Sequence, residues 1–228
     1  VCSSDLVVNT LFSCLCTVDG GSSFVPRWSP PFVSAIAIGD RCHMNGLAAD
    51  DTGPRFVTAL GETDTDNGWR ERKRDGGCLV DVASGEVLVR GLSMPHSPRL
   101  EGDGLWLLES GYGRLHRYDP GSRTVVPVAT LPGYTRGLDL HGGLAFVGLS
   151  RIRESAVFGG LPLDDRRGSL ECGVAVVVGE TLQRAVGRSI YLEMNARMQI
   201  QALQLAGPGG SIIPMEDRKS TRLNSSHE

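Results

Sequence analysis

The sequence predicts an all-β fold, a β-propeller fragment of about three complete four-stranded blades with partial blades at each end. Three observations lead there. Short runs alternating apolar and polar residues outnumber any helical pattern. Glycine is abundant, 30 of 228 residues, and punctuates those runs as turns. Three polar segments, each feeding a hydrophobic strand, also return at blade spacing: His43-Met44-Asn45-Gly46-Leu47, Pro95-His96-Ser97-Pro98-Arg99 and Tyr134-Thr135-Arg136-Gly137-Leu138, their first residues 52 and then 39 positions apart. A lone four-stranded sheet cannot cover both of its apolar faces, and stacking similar units around an axis does so. An open sandwich of irregular hairpins is the competing all-β arrangement. Neither a Trp-Asp blade ending nor a double-glycine kelch signature is present.

The ends are set aside first. Residues 1–6 and 217–228 back-translate, in frame, to the two strands of a sequencing-library adapter, so they are expected to be artefact. The domain is then expected over 7–216, as a piece of a longer gene. An incomplete ring would leave its outer sheets uncovered and their edges unpaired, which favours aggregation.

The predicted strands follow in order. Ser13 to Val18 alternates and stops at Asp19-Gly20-Gly21, partway through a blade. The next unit reads Asn45 to Ala49, Arg55 to Leu60, Cys78 to Val82 and Glu86 to Arg90, with Ala83-Ser84-Gly85 as the last turn. The third repeats this compactly: Ser97 to Leu100, Gly104 to Glu109, Gly113 to Tyr118, the turn Asp119-Pro120-Gly121-Ser122, then Thr124 to Ala129. A fourth runs Arg136 to Leu140, turns at His141-Gly142-Gly143, and continues as Leu144 to Leu149, Gly173 to Val178 and Gln183 to Arg188. Met198 to Leu205 would begin another blade.

Composition excludes some function classes. A net charge of −3 gives no basic field for nucleic acid. No apolar run reaches the length of a membrane span. Lys73 is the one lysine between residues 7 and 216, a bias that suggests a GC-rich bacterial source. Cys14, Cys16, Cys42, Cys78 and Cys172 show no Cys-x-x-Cys pair and no zinc-like spacing. They read as small buried hydrophobes of a reducing, cytoplasmic compartment. There is no phosphate-cradling glycine loop, Gly-x-Ser-x-Gly elbow or metalloprotease helix, and no cofactor is expected.

Several segments resemble a known family. They are Asn9-Thr10-Leu11-Phe12-Ser13-Cys14-Leu15, Ser23-Phe24-Val25-Pro26-Arg27-Trp28, Arg41-Cys42-His43-Met44-Asn45-Gly46-Leu47-Ala48, Gly91-Leu92-Ser93-Met94-Pro95-His96-Ser97-Pro98-Arg99 and Val147-Gly148-Leu149-Ser150. Together they resemble a bacterial conserved-hypothetical family, a domain of unknown function, most densely from Val7 to Pro162. The resemblance implies a propeller-like fold and brings no established activity.

In a propeller the first strand of each blade lines the axial channel, so polar groups leading those strands converge from distant parts of the chain. His43, Asn45, His96, Ser97, Arg99, Thr135 and Arg136 occupy such positions. Imidazole, amide, hydroxyl and guanidinium could together grip a carboxylate, phosphate or sugar. Each could instead only cap a turn or tie neighbouring blades. The expected function is binding of a small polar or anionic molecule, or of a protein partner, at this mouth. The alternative is a calcium-dependent lactonase-like hydrolase with Asn45, Glu62, Asp139 and Asn195 as oxygen donors, fewer than the six to eight calcium prefers. The long charged stretch Glu62 to Cys78, with Trp69-Arg70, is either a lid or a solvated loop. Arg151 to Pro162 is a second candidate rim. His116 and His141 read as structural.

Overall fold

Four antiparallel sheets, taken in chain order, make up the protein in a computed structural model that describes residues 6–18, 20–151, 159–178 and 189–191. All of these lie in one unit, Val1–Tyr191. The first sheet holds β1 (Leu6–Asn9), β2 (Cys14–Thr17) and β3 (Val25–Trp28). The second holds β4 (Met44–Asp50), β5 (Gly53–Ala59), β6 (Gly77–Asp81) and β7 (Val87–Leu92). The third is β8 (Pro95–Glu101), β9 (Gly104–Glu109), β10 (Arg114–Asp119) and β11 (Thr124–Thr130). The fourth is β12 (Tyr134–His141), β13 (Leu144–Ser150), β14 (Gly173–Val178) and β15 (Ser189–Tyr191). Each strand pairs with its neighbour in sequence, so every sheet is a meander.

The turns form for local reasons. At Ala83-Ser84-Gly85 the Asp81 carboxylate accepts from both the amide and the hydroxyl of Ser84, and Gly85 takes the left-handed φ of 73°. Asp119 does the same for the Gly121 amide and the Ser122 hydroxyl. At Gly142-Gly143 both residues have positive φ, as a two-residue hairpin requires, and His141 pairs directly with Leu144.

Strand patterns match their neighbours. In β13 buried and half-buried residues alternate, whereas every residue of β9 is buried because both of its faces are covered. The cores lie between consecutive sheets. Leu15 meets Met44, Val57 and Val80 between the first and second. Leu79, Val89 and Leu92 meet Leu105 and Leu107 between the second and third. Leu108, Leu115 and Leu131 meet Leu138, Val147 and Ala175 between the third and fourth. Each buried leucine contributes roughly 1.5–3 kcal/mol of desolvation. The leading strands also adjoin one another, β1 beside β4, β4 beside β8 and β8 beside β12.

Two expectations change. The last strand of the fourth sheet is found at Ser189–Tyr191, paired with Ala175 to Val177, while Gln183 to Arg188 lies outside the described residues. So does Met198 to Leu205. The stretch Glu62 to Cys78 is not a solvated loop throughout: it contains a short 3-10 helix, Gly68–Arg72, whose Trp69 is 1% exposed. Trp69 joins Leu60, Met94, Tyr134, Leu161, Leu163 and Leu170 in an apolar cluster built from loops at one end of the sheets. Lys73 Nζ and Arg74 Nε then donate to the carbonyls of Gly159 and Gly160, at 2.7 and 2.8 Å, fastening the first candidate rim to the second.

Cys14, Cys16, Cys42 and Cys78 are buried free thiols, in keeping with the expectation that most of the five would pack inside, and Cys172 is exposed. Burial pushes the Cys14 and Cys42 thiols up to about 11 and Cys78 up to about 12, so all three stay protonated at neutral pH. Iodoacetamide at pH 7.5 is expected to label Cys172 well ahead of Cys14, Cys42 and Cys78 by peptide mapping. Equal labelling would contradict their burial.

Candidate functional site

The leading strands of the second, third and fourth sheets bend at equivalent points. One extra residue enters β4 between Met44 and Gly46, β8 between His96 and Arg99, and β12 between Thr135 and Leu138. Such bulges re-aim side chains and increase local twist. Here they fall on Asn45, on Ser97-Pro98 and on Arg136-Gly137. The strands come close at these points: a Cβ on Gly46 would meet Pro98 Cδ at 2.5 Å, and one on Gly148 would meet the Arg136 carbonyl at 2.2 Å. Asp40, His43, Met94 and Ser97, none of them glycine, all take left-handed φ between 46° and 54°. Strain of this kind gathers where surrounding structure holds residues in place for a purpose.

Hydrogen bonds tie the leading strands together. Asn45 Nδ2 donates to the Pro95 carbonyl at 3.0 Å, and its Oδ1 accepts from Thr58 at 2.8 Å. The Gly137 amide donates to Ser97 Oγ at 3.1 Å. Arg99 is exposed and donates to the Pro98 carbonyl at 2.9 Å. Thr135 is fully buried, its carbonyl accepting from Ser110 Oγ and its own Oγ1 buried without a partner. Asn45 and Ser97 therefore act as ties between strands, and Arg99 braces its own strand.

Of the remaining candidates, His96 lies in β8, Arg136 in β12, and His43 immediately precedes β4. His96 is 6% exposed. Its pKa is lowered to about 3, first by burial and then by the nearby positive charge of Arg136, with a smaller effect from His43. His96 is thus within electrostatic reach of two residues distant from it in sequence. Arg136 is itself exposed, yet lost hydration in its surroundings still lowers its pKa. An arginine starts so high that it remains a cation.

His43 is held from two sides. Its Nδ1 donates to Asp40 Oδ2 at 2.7 Å, and its ring lies 4.5 Å from that of Trp69, tilted by 43°. Trp69 Nε1 donates to the same carboxylate oxygen at 3.1 Å. Asp40 thus orients both rings, and His43 Nε2 makes no hydrogen bond among the described residues. Trp69 packs beside His43, its backbone against Gly61, where a Cβ would lie 2.9 Å from Trp69 Cβ.

Sequence reasoning missed the supporting residues. Asp40 stands only three positions before His43, a local signal that could have been noticed. Glu109, Ser110 and His116 gave no such signal, because they reach the site through β9 and β10. Glu109 is 4% exposed; it accepts from the Ser93 amide at 2.9 Å and from His116 Nε2 at 2.8 Å. His116 is structural, as expected, although its Nδ1 is buried without a partner.

Two of the oxygen donors considered for calcium are otherwise engaged. Asn45 Oδ1 accepts from Thr58 while its Nδ2 is spent on the Pro95 carbonyl, and Glu62 forms a two-pronged pair with Arg90 at 2.6 and 3.0 Å. Asp139 stands beyond the bulge opposite Phe146, and Asn195 lies outside the described residues. No group of three or more His, Cys, Asp or Glu among the described residues is arranged to hold a metal ion. No helix among them is long and apolar enough to cross a membrane.

A family model described as a domain of unknown function matches residues 3–197. No curated protein matches the chain. Among solved structures, the computationally designed Ika8 protein aligns with a TM-score of 0.38 and 11% identity, over 79% of this chain. The chain spans 43% of the length of that designed protein.

Proposed function

The chain belongs to the DUF4915 family, a domain of unknown function, and from that premise we propose that it is a ligand-binding β-propeller whose polar mouth takes a small anionic molecule. The propeller reading is supported by the chain-order meanders, the cores between consecutive sheets and the adjoining leading strands. One observation carries the binding reading: buried His96 senses the positive charge of Arg136, and to a smaller degree His43, although both are distant from it in sequence. Arg136, an exposed and permanent cation, suits a carboxylate or phosphate.

Binding is tested with the full chain by thermal shift and calorimetry against small carboxylates and phosphates. Replacing Arg136 with alanine removes charge-assisted hydrogen bonds of about 1.5–3 kcal/mol. The expected loss of affinity is roughly 10- to 100-fold. Unchanged anion affinity in R136A, or no binding across the panel, overturns the proposal.

A further inference from the structure

His43 has a chemistry that anion binding does not use. Its side chain is 21% exposed, so its ring meets solvent, whereas His96 and His116 are buried. Asp40 Oδ2 accepts from Trp69 Nε1, which can only donate, and takes the His43 Nδ1 hydrogen as well, at 3.1 and 2.7 Å. In the neutral ring the lone pair then belongs to Nε2. That nitrogen makes no hydrogen bond among the described residues, so no serine, threonine or cysteine among them stands as its partner.

The carboxylate behind the ring is poorly compensated. Asp40 Oδ1 is buried without a partner. The adjacent Arg41 gives its Nη1 to Asp64 instead, 2.8 Å from both a carboxylate oxygen and the backbone carbonyl. Positive charge arising on the His43 ring is therefore what balances Asp40, as in any carboxylate–imidazole couple that stabilises an imidazolium while it forms. The couple is also fixed in place. Asp40 and His43 hold left-handed φ of 46° and 49°. The Leu11 carbonyl accepts the Gly39 and Asp40 amides, and the Leu60 amide donates to the carbonyls of Cys42 and His43. Backbone strain held this firmly is characteristic of reactive sites.

From this geometry we infer that His43 is a general base for hydrolysis of a small carboxylic ester, with Asp40 as its positioning residue. Nε2 takes a proton from water while the water oxygen adds to the ester carbonyl carbon, and the carbonyl electron pair moves onto its oxygen. When that pair returns, the bond to the alkoxide breaks, and the alkoxide takes the proton back from Nε2. The products are an alcohol and a carboxylic acid, and the imidazole is regenerated. Water is the nucleophile because no side chain among the described residues stands between it and Nε2. An ester carbonyl suits the site better than a phosphate ester, whose transfer calls for cations around the phosphoryl oxygens. The groups that hold His43 are a carboxylate and an indole, and neither supplies that charge. The inference goes beyond anion binding and makes no use of Arg136.

Hydrolysis is measured on the full chain with phenyl acetate, methyl acetate and phenyl phosphate. Turnover of at least one acetate above the buffer rate is expected, with phenyl phosphate left intact. His43→Gln should lower kcat by roughly 100-fold or more. Cys172→Ser, which removes the exposed thiol as a rival nucleophile, should keep the full rate. Asp40→Asn should lower kcat with little change in KM and move the imidazole hydrogen from Nδ1 to Nε2 in nitrogen-15 spectra. The same spectra of the unaltered protein, which do not depend on any variant folding, should show neutral His43 protonated at Nδ1 and bare at Nε2. Inert acetates, an undiminished rate in His43→Gln, a rate lost in Cys172→Ser, faster cleavage of phenyl phosphate, or an unaltered ring protonated at Nε2 each overturns the inference. None of these outcomes touches the Arg136 measurement, so the anion reading stands or falls separately.

Discussion

Trp69→Ala is expected to destabilise the protein by about 3–5 kcal/mol, the range for emptying a buried aromatic site. Trp69 is the largest fully buried side chain, 1% exposed, and its cluster includes residues from both rim loops and from the starts of β8 and β12. Removing it opens a cavity among loops rather than between sheets, and it deletes the indole donor to Asp40 as well as the ring against His43. Asp40 Oδ1 is already buried without a partner, so losing a donor to Oδ2 leaves that carboxylate still less satisfied. Denaturant unfolding of the two proteins measures the difference. Trp69→Phe, which restores most of the packing but not the donor, should fall between them. A loss below about 1 kcal/mol would mean that the loops collapse to fill the space.

Stability is expected to fall as pH drops from about 6.5 towards 3, and His96 is the cause. In the unfolded chain its imidazole takes a proton near its ordinary value of 6.5, whereas in the folded protein burial, Arg136 and His43 hold it down to about 3. Between those values the unfolded state binds a proton that the folded state refuses, so acid favours unfolding. Above 6.5 neither state is protonated and the penalty vanishes. The limiting slope is about 1.4 kcal/mol per pH unit, and full titration amounts to something on the order of 4 kcal/mol. Asp50, Asp64 and Asp119, held below the ordinary value of 3.8 chiefly by side-chain hydrogen bonds from Thr52, Ser34 and Ser122, lose their contribution only at still lower pH. The window from pH 6 to 4.5 thus isolates the histidine. His96→Phe should flatten the stability profile there, and parallel profiles for the two proteins would remove His96 as the cause.

Much of this architecture was written locally. Alternating runs and Asp, Ser and Gly turns placed the strands of the second and third sheets within a few residues, because a hairpin is specified by its own pattern and turn chemistry. The recurrence of His43, His96 and Arg136 at blade spacing marked where the leading strands begin. What composition could not distinguish was the task of each polar group. Asn45, Ser97, Arg99 and Thr135 looked equivalent to the histidines in sequence, yet the structure has Asn45 and Ser97 join strands, Arg99 brace its own strand and Thr135 sealed inside. The charged loop carrying Trp69 could have been solvated by its composition; only the apolar ceiling of Leu60, Met94, Leu161 and Leu163 shows why it folds inward.

The sequence by itself determined the strand order, the turns and the positions of the polar leads, since each depends on residues within one hairpin. Tertiary structure decided which of those leads are spent on ties between strands. A carbonyl two residues away fixes the His96 tautomer, a hydroxyl from the neighbouring strand reinforces it, and a guanidinium from another sheet helps to keep the ring neutral. Those effects act through space at hydrogen-bonding and Coulombic range, and no spacing along the chain encodes them.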